Sequence, residues 1–299
     1  MARAFLHYDV FTRDVLRGNQ LAVFTDGHGL EPALMQQIAR EMNFSESTFV
    51  LPRERTDTDV RMRIFTPGSE LPIAGHPTIG STFALAETGA IASGAERFVF
   101  GLNIGPVPVD LQWADGRLQF AWMTQPNPEF GRAIMAARDR ADVAKSIGVD
   151  PADLADLPVQ EVSCGLPYLL IPLCDQSAVD RAEPDGKMSQ IIASVAGRDL
   201  PAFVFAIVSD GAVYSRMFAP AIGIVEDPAT GSASGPLGCY LVQHGLVTPG
   251  RASSIVSDQG VAMGRASRIH IAITGDAHAI SSVRVGGEAI LVGRGELLI

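Results

Sequence analysis

Lysine is almost absent from this sequence, and cysteine is scarce. Only Lys145 and Lys187 occur among the 299 residues, so the sequence suggests no cofactor chemistry that depends on a lysine, and we expect no cofactor. The three cysteines, Cys164, Cys174 and Cys239, are odd in number and form no C-x-x-C motif. That usage is typical of buried thiols in a reducing cytoplasm rather than of disulfides or zinc sites.

Positive charge and long apolar runs are also missing. The formal net charge is −10, which argues against a nucleic-acid partner because phosphate binding relies on clustered Lys and Arg. No apolar run approaches the length of a membrane span, and the N-terminal residues acquire a charge too early for a signal peptide. The six histidines show no H-x-x-x-H spacing, so no metal site is expected. We expect a soluble, cytoplasmic protein with no membrane partner.

Apolar side chains, in contrast, are abundant. They make up 47% of the sequence and charged residues 19%, so the chain can bury a sizeable core. A length of 299 residues allows one large domain or two of ordinary size.

One glycine-rich stretch organises the sequence. Residues 226–238 place an acidic pair, Glu226 and Asp227, and then a proline before a run of glycines and hydroxyls, and an apolar segment follows. Small residues at the start of a helix let backbone N–H groups point at an anion, which the helix dipole also favours. A carboxylate beside such a helix start suggests proton chemistry on an anionic substrate.

The same stretch has a counterpart in the first half of the chain. Glu70, Pro72 and Gly75 precede Glu226, Pro228 and Gly231 by 156 positions each. Upstream, R-I-F-T-P at 63–67 matches R-M-F-A-P at 216–220, and F-V at 49–50 matches F-V at 203–204. Nearly constant offsets in order indicate an internal duplication whose unit is about half the chain, too long for a solenoid repeat.

The local patterns predict an α+β fold of two pseudo-symmetric lobes. Strands are expected at 3–11, 21–24, 48–51, 59–65, 97–122, 159–163, 168–173, 202–207, 213–218 and towards the C-terminus, and helices at 32–43, 76–87, 139–147, 188–196 and after residue 230. The alternation at 59–65 places Arg61 and Arg63 on a solvated face. Two prolines make 124–128 the best linker. We therefore divide the chain into lobes at 1–125 and 126–299, and the last strand, 289–298, could cross back to the first lobe.

A serine hydrolase is one alternative. The run G-S-A-S-G at 231–235 is similar to the nucleophile elbow G-x-S-x-G, with Ser234 as the candidate nucleophile one position after the motif's centre, and Asp258 or Asp276 and His270 or His278 lie downstream. That mechanism needs a strand directly before the serine, and residues 225–230 are poor strand material. The duplicated copy has Thr78 at the equivalent position. A helix start built from small capping residues explains the run better.

Three residues at loop positions are candidates for acid–base chemistry: Glu46, His76 and Asp227. His76 lies between Gly75 and a proline in a first helical turn, where the dipole tends to keep an imidazole neutral. Each has a plain alternative: His76 as a capping residue, Glu46 as a surface carboxylate and Asp227 as an N-terminal helix carboxylate. Their convergence on two anion-binding helix starts favours the catalytic interpretation.

These motifs resemble the PhzF-like, or phenazine biosynthesis-like, family. The resemblance runs nearly end to end and rests on the segments 9–11, 18–20, 43–49, 70–77, 226–235 and 259–265. It implies the diaminopimelate-epimerase-like fold, in which each lobe is a curved sheet around a central helix and the site lies between the lobes. Epimerases of this fold use one cysteine per lobe, at the positions of Ala74 and Thr230 here. Because neither is a cysteine, two-thiol racemisation is not expected.

The resemblance also implies an activity, an isomerase that moves a proton between carbons of a small anionic substrate. It gives the acid–base role to Glu46, assisted by His76 and Asp227. It places substrate binding at Ser45, Gly75, Thr230, Gly231 and Ser232. A homodimer without a cofactor is implied as well. The main alternative is a catalytically silent small-molecule-binding protein on the same fold.

Overall fold

The computed structural model describes residues 2–299, which form eighteen strands and six α-helices. The strands are β1 (Ala2–Val10), β2 (Asn19–Phe24), β3 (Glu46–Leu51), β4 (Val60–Phe65), β5 (Glu70–Leu71), β6 (Arg97–Leu102), β7 (Gly105–Ala114), β8 (Arg117–Gln125), β9 (Glu129–Ile134), β10 (Val159–Ser163), β11 (Pro167–Pro172), β12 (Ala202–Ser209), β13 (Ala212–Ala219), β14 (Ile224–Asp227), β15 (Ile255–Gln259), β16 (Ser267–Gly275), β17 (Ile280–Gly287) and β18 (Ala289–Leu298). The helices are α1 (Pro32–Met42), α2 (Gly75–Glu87), α3 (Ala137–Ser146), α4 (Gln176–Arg181), α5 (Met188–Ala196) and α6 (Gly231–Gln243).

The strands build two half-sheets with the same order and the same strand directions. In the first lobe the pairing runs β18-β1-β2-β3-β4-β6-β7-β8, with β5 beside β4. In the second lobe it runs β9-β10-β11-β12-β13-β15-β16-β17, with β14 beside β13. Each lobe has two parallel pairs at equivalent places, β2–β3 and β4–β6 against β11–β12 and β13–β15. Strands β1 to β8 therefore have their counterparts nine strands later, in β10 to β17, which is the structural form of the sequence duplication.

Two further strand pairings connect parts of the chain that are far apart in sequence. The last strand, β18, pairs antiparallel with β1 from Ala2↔Leu298 to Val10↔Ala289, so it lies in the first lobe, where β9 lies in the second. Strands β8 and β17 pair antiparallel and make the sheet continuous from one lobe to the other.

A mostly buried helix lies inside each half-sheet. Residues 75–85 of α2 are all buried, and so are eleven of the residues of α6. Neither helix carries a charged residue before its last turn, and a helix that is apolar or small on all sides is stable only when surrounded by protein. The core around α2 and the core around α6 are separate apolar clusters, while α1 and helices α3, α4 and α5 cover the outer faces of the sheets.

The duplicated Arg and Glu residues form equivalent ion pairs. Arg63 donates to both carboxylate oxygens of Glu70 at 2.8 and 2.6 Å, and Arg216 donates to both oxygens of Glu226 at 2.8 Å. Arg63 lies on the strand face opposite the buried Met62, as the alternation predicts, but it is not fully solvated: its side chain is 19% exposed because the ion pair holds it against the sheet.

Other local predictions also needed correction. Residues 225–230 were judged poor strand material, yet Ile224–Asp227 is strand β14, because β13 supplies its backbone partners. Strand β9 and helix α4 were not predicted. Among residues 2–299, no helix combines the length and apolar character required to span a membrane.

Candidate active site

The starts of α2 and α6 touch each other at the boundary between the lobes. A Cβ atom on Gly75 would lie 2.5 Å from the Cα of Gly231 and 2.7 Å from the backbone nitrogen of Ser232, closer than such atoms approach. Glycine is therefore required at this contact. The residues before the two helices, Ala74 and Thr230, make no side-chain capping bond. The first backbone N–H groups of a helix have no partner within it, so both helix starts present donors to a ligand.

Glu46 and His76 form the centre of the site. Glu46 is the first residue of β3, after α1 ends at Asn43 in the left-handed conformation, and His76 is the second residue of α2. The two residues are 8% and 3% exposed, and Glu46 Oε2 lies 3.2 Å from His76 Nε2. Neither atom has an aligned hydrogen-bond partner within residues 2–299, so both are buried polar atoms available to a ligand.

The imidazole of His76 is held neutral. Burial lowers the pKa of His76 to about 3, because desolvation penalises the charged ring. The sequence attributed neutrality to the helix dipole, and the structure gives burial as the main cause. The amide Nδ2 of Asn19 lies 3.0 Å from Nδ1 of the ring. Because an amide nitrogen only donates, the proton of the neutral ring is assigned to Nε2, which faces Glu46.

Asp227 lies at the end of β14 within a network of hydrogen bonds. Its carboxylate accepts from Asn19 Nδ2 at 2.8 Å, from Thr230 Oγ1 at 2.6 Å and from the side chain of Ser45. Burial nevertheless raises the pKa of Asp227 to about 6, against the lowering effect of these three donors. The network joins residues from both lobes at one carboxylate.

Glu46 holds its proton more strongly than an ordinary glutamate. Burial raises its pKa well above the usual value, and the nearby charge of Asp227 raises it further. Two carboxylates in one buried site, with pKa values raised above those of solvated carboxyl groups, are an arrangement that recurs in acid–base catalysis.

The cavity between the lobes has about 200 Å³ of space. That volume is below the range of about 300–1,000 Å³ typical of sites for larger ligands, so a small metabolite fits it. Glu46, His76 and Asp227 line it together with apolar side chains such as Leu71 from the first lobe and Met217 from the second. No Lys or Arg among residues 2–299 lines the cavity. The helix starts are therefore the positive groups that an anion would meet.

The structure brings nearly all the expected site residues together. Glu46, Gly75, His76, Asp227, Thr230, Gly231 and Ser232 line the cavity. Ser45 lies behind Asp227, to which it donates. Ser234 lies outside the cavity: it is buried within α6, and its hydroxyl donates to the carbonyl of Thr230 at 2.9 Å. That contact explains Ser234 as a helix residue and gives the hydrolase alternative no support.

The cysteines and possible metal ligands have no place in this site. Cys164 and Cys239 are buried in the second lobe and Cys174 is exposed, and none of them lines the cavity. Within residues 2–299, no group of three or more His, Cys, Asp or Glu side chains is placed to hold a metal ion.

Four polar residues at the site were not identified from the sequence. Asn19 connects His76, Asp227 and the carbonyl of Ala229. Gln259 donates to Asp227 O and to Thr230 Oγ1, Gln125 donates to Gly231 O at 2.9 Å, and Tyr168 contacts Ser232. The segments around Asn19 and Gln259 carried the family resemblance, but nothing in their local pattern showed which residues they contact.

Comparison with known proteins identifies the family to which this chain belongs. The sequence model of the phenazine biosynthesis-like protein family matches residues 8–295. An uncharacterized isomerase of Mesorhizobium japonicum is 38% identical over 99% of this chain and 99% of its own. Trans-2,3-dihydro-3-hydroxyanthranilate isomerase of Pseudomonas fluorescens is 36% identical over 97% of this chain and 98% of its own. The chain belongs to the phenazine biosynthesis-like family.

Solved structures show the same fold. A phenazine biosynthesis protein of the PhzF family from Bacillus anthracis superimposes with a TM-score of 0.85 at 27% identity, over 100% of both chains. A hydroxyproline epimerase from Agrobacterium vitis superimposes with a TM-score of 0.67 at 14% identity, over 99% of this chain and 92% of that one. The second likeness concerns the fold alone, and the two together confirm the epimerase-like fold expected from the resemblance.

Proposed function

We propose that this protein is an isomerase that moves a proton from one carbon of a small anionic substrate to another. The observation that carries the proposal is the pair of unpartnered, buried atoms Glu46 Oε2 and His76 Nε2, which belong to residues that line the cavity. Relatives with the name trans-2,3-dihydro-3-hydroxyanthranilate isomerase support the reaction class.

In this proposal Glu46 removes the proton and returns it. A carboxylate whose pKa is raised by burial is a stronger base than a solvated one, so it can remove a proton from carbon and then act as the acid that returns it. The neutral His76 donates a hydrogen bond from Nε2 towards Glu46 or a substrate oxygen, and it adds no charge that would lower the basicity of Glu46.

Asp227 and the helix starts orient the substrate. The N–H groups of Gly75, Gly231 and Ser232 bind the substrate carboxylate, which has no cationic side chain available in the cavity. Asp227 accepts from a substrate hydroxyl or amino group, and Ser45 and Thr230 fix the orientation of Asp227 by donating to it.

Turnover in D₂O tests the proposal. The protein is incubated with trans-2,3-dihydro-3-hydroxyanthranilate and with a series of small unsaturated carboxylates, and deuterium at carbon is followed by mass spectrometry and NMR. We expect deuterium at one carbon of the product. A ligand that binds without acquiring deuterium would instead identify a binding protein. The homodimer and the cytoplasmic location expected from the sequence stay predictions.

A further inference from the structure

Besides the acid–base groups, the cavity is lined by a phenol next to a hydroxyl. Tyr168, the second residue of β11, is 5% exposed, and its hydroxyl lies 2.6 Å from Ser232 Oγ at the start of α6. Both residues line the cavity, as Glu46 does. The two lobes thus contribute different pairs: a carboxylate with an imidazole from the first, and a phenol with a hydroxyl from the second.

The duplication places these two pairs at related positions. Ser232 follows His76 by 156 positions, the same offset that relates Gly75 and Gly231. Each residue is therefore the second of its helix, next to the glycine at which the helices touch. The imidazole has Glu46 as its neighbour, and the hydroxyl of Ser232 has Tyr168.

One O–H hydrogen of the Tyr168–Ser232 pair remains available. The pair has two hydroxyl hydrogens, and their mutual contact uses one. Within residues 2–299, neither side chain has a second hydrogen-bond partner, so the other hydrogen can be donated to a ligand in the cavity. Burial raises the pKa of Tyr168, and the charges of Asp227 and Glu46 raise it further, so the phenol keeps its proton.

We propose that Tyr168, oriented by Ser232, is a further catalytic residue that donates its O–H to the substrate oxygen on which negative charge collects. This inference rests on the proposed isomerisation. When a C–H bond breaks, the proton forms an O–H bond with Glu46, and the electron pair delocalises onto a carboxylate or carbonyl oxygen conjugated to that carbon. The carboxyl proton of Glu46 exchanges with solvent, and Glu46 then delivers a proton to another carbon as its O–H bond breaks and a C–H bond forms, while Tyr168 keeps its own proton throughout.

This role restricts the class of substrate. The reacting carbon must be conjugated to an acidic or carbonyl oxygen, since only then does charge reach an atom that Tyr168 can contact. A hydrogen bond that strengthens as charge develops lowers the energy of the transition state more than that of the bound substrate.

The test compares Tyr168→Phe with Tyr240→Phe. Tyr240 is also buried, and its hydroxyl donates to Pro158 O at 2.6 Å, but it does not line the cavity. With trans-2,3-dihydro-3-hydroxyanthranilate in D₂O, we expect Tyr168→Phe to lower kcat about 100-fold with KM changed less than about threefold, the loss typical of one transition-state donor. Tyr240→Phe keeps kcat within about twofold.

A second variant tests the coupling. Ser232→Ala should also lower kcat. The double variant should lose much less activity than the product of the two single losses, because both substitutions disable the same hydrogen-bonded pair. If Tyr168→Phe does not fold, the effect of Ser232→Ala tests the proposal, which predicts a lower kcat with little change in KM.

Each outcome has one meaning. Wild-type kcat in Tyr168→Phe, together with an inactive Glu46→Gln, would overturn the role of Tyr168 and leave the proposed function standing. Full activity in Glu46→Gln would overturn the proposed function, and so would a wild-type protein that labels no carboxylate in the series; the inference about Tyr168 falls with it. Independent, multiplicative losses in Tyr168→Phe and Ser232→Ala would contradict orientation by Ser232.

Discussion

At the scale of single residues, Glu46 has an environment that opposes its ionisation. It is buried beside Asp227, and both factors raise its pKa above the usual value. A folded-state pKa above the unfolded one means that the group stabilises the fold below the unfolded pKa and loses this contribution as the pH rises through the folded value. Burial therefore makes Glu46 a stronger base, and it also lowers the free energy of unfolding at neutral pH.

Glu46→Gln should expose that cost. The amide keeps the shape of the side chain and cannot ionise, so the free energy of unfolding of the variant, relative to wild type, should increase as the pH rises above the ordinary glutamate pKa of 4.5. Urea unfolding at several pH values measures the difference. A relative stability that falls with pH would show that Glu46 ionises more readily in the folded protein.

The catalytic candidates could be predicted from single residues, whereas their supporting partners could not. Glu46, His76 and Asp227 stand in short motifs with an interpretable context. Asn19 and Tyr168 are ordinary in their local sequence, and they reach the site because the two lobes bring β2 and β11 to it. Contacts between residues far apart in sequence have no local signature.

At the scale of elements, a short hairpin precedes each central helix. Strands β5 and β14 are short, and each carries the glutamate of a duplicated ion pair. The second pair is more deeply buried, because Arg216 also donates to the backbone carbonyls of Val179, Asp180 and Ala182 around the end of α4. Arg216 thus joins α4, β13 and the segment that leads into α6.

Arg216→Met should therefore destabilise the protein more than Arg63→Met. Removing the guanidinium leaves Glu226 and three carbonyls without their donor, which costs about 3–5 kcal/mol for a buried pair. The Arg63 pair is somewhat more exposed, and in the part of the chain that the structure describes Arg63 has no hydrogen bonds to backbone carbonyls like those of Arg216, so its loss should cost less, about 1–3 kcal/mol. Urea unfolding of both variants checks the order, and equal losses would contradict the difference in burial.

The contact between the two helix starts gives a further prediction. In Gly75→Ala the new methyl group meets backbone atoms of Gly231, which cannot rotate away, so the free energy of unfolding should fall by about 3 kcal/mol or more. Gly186 has open space around its Cβ position, and Gly186→Ala should change stability by less than about 0.5 kcal/mol. A tolerated Gly75→Ala would mean that the lobes do not meet as described.

Elements were predictable where the pattern is local. The central helices were recognised from small residues after a proline and an apolar run. Strand β14 was missed because its residues pair with β13 despite a composition that does not favour strands, and Arg63 is less exposed than predicted because its ion partner lies in β5. Tertiary partners override local preference in both cases.

At the scale of the whole molecule, the chain closes on itself. The last strand completes the half-sheet of the first lobe, so residues 2–125 alone lack β18, one of the two neighbours of β1. The constant offsets in the sequence predicted two related lobes, and the strand order repeats as expected. The sheet that contains β18 could not be predicted, because the residue pattern of a strand does not show which other strand it pairs with.

A fused fragment tests this closure. Because Ala2 pairs with Leu298, a short turn can connect the end of residues 288–298 to the start of residues 2–125. We expect this fragment to be more soluble and better folded than residues 2–125 alone, since an unpaired edge strand promotes aggregation. Circular dichroism and size-exclusion chromatography compare the two fragments, which share the same free β8 edge. Equal behaviour would contradict the contribution of β18.

The central claim is that Glu46 removes and returns the substrate proton. The most direct measurement is the rate of deuterium incorporation from D₂O by wild type, Glu46→Gln and Glu41→Gln, where Glu41 is an exposed glutamate at the end of α1. We predict that Glu46→Gln lowers the rate by about 100- to 10,000-fold, the range for loss of a general acid–base group, and that Glu41→Gln leaves it unchanged. Incorporation by Glu46→Gln at the wild-type rate would contradict the account.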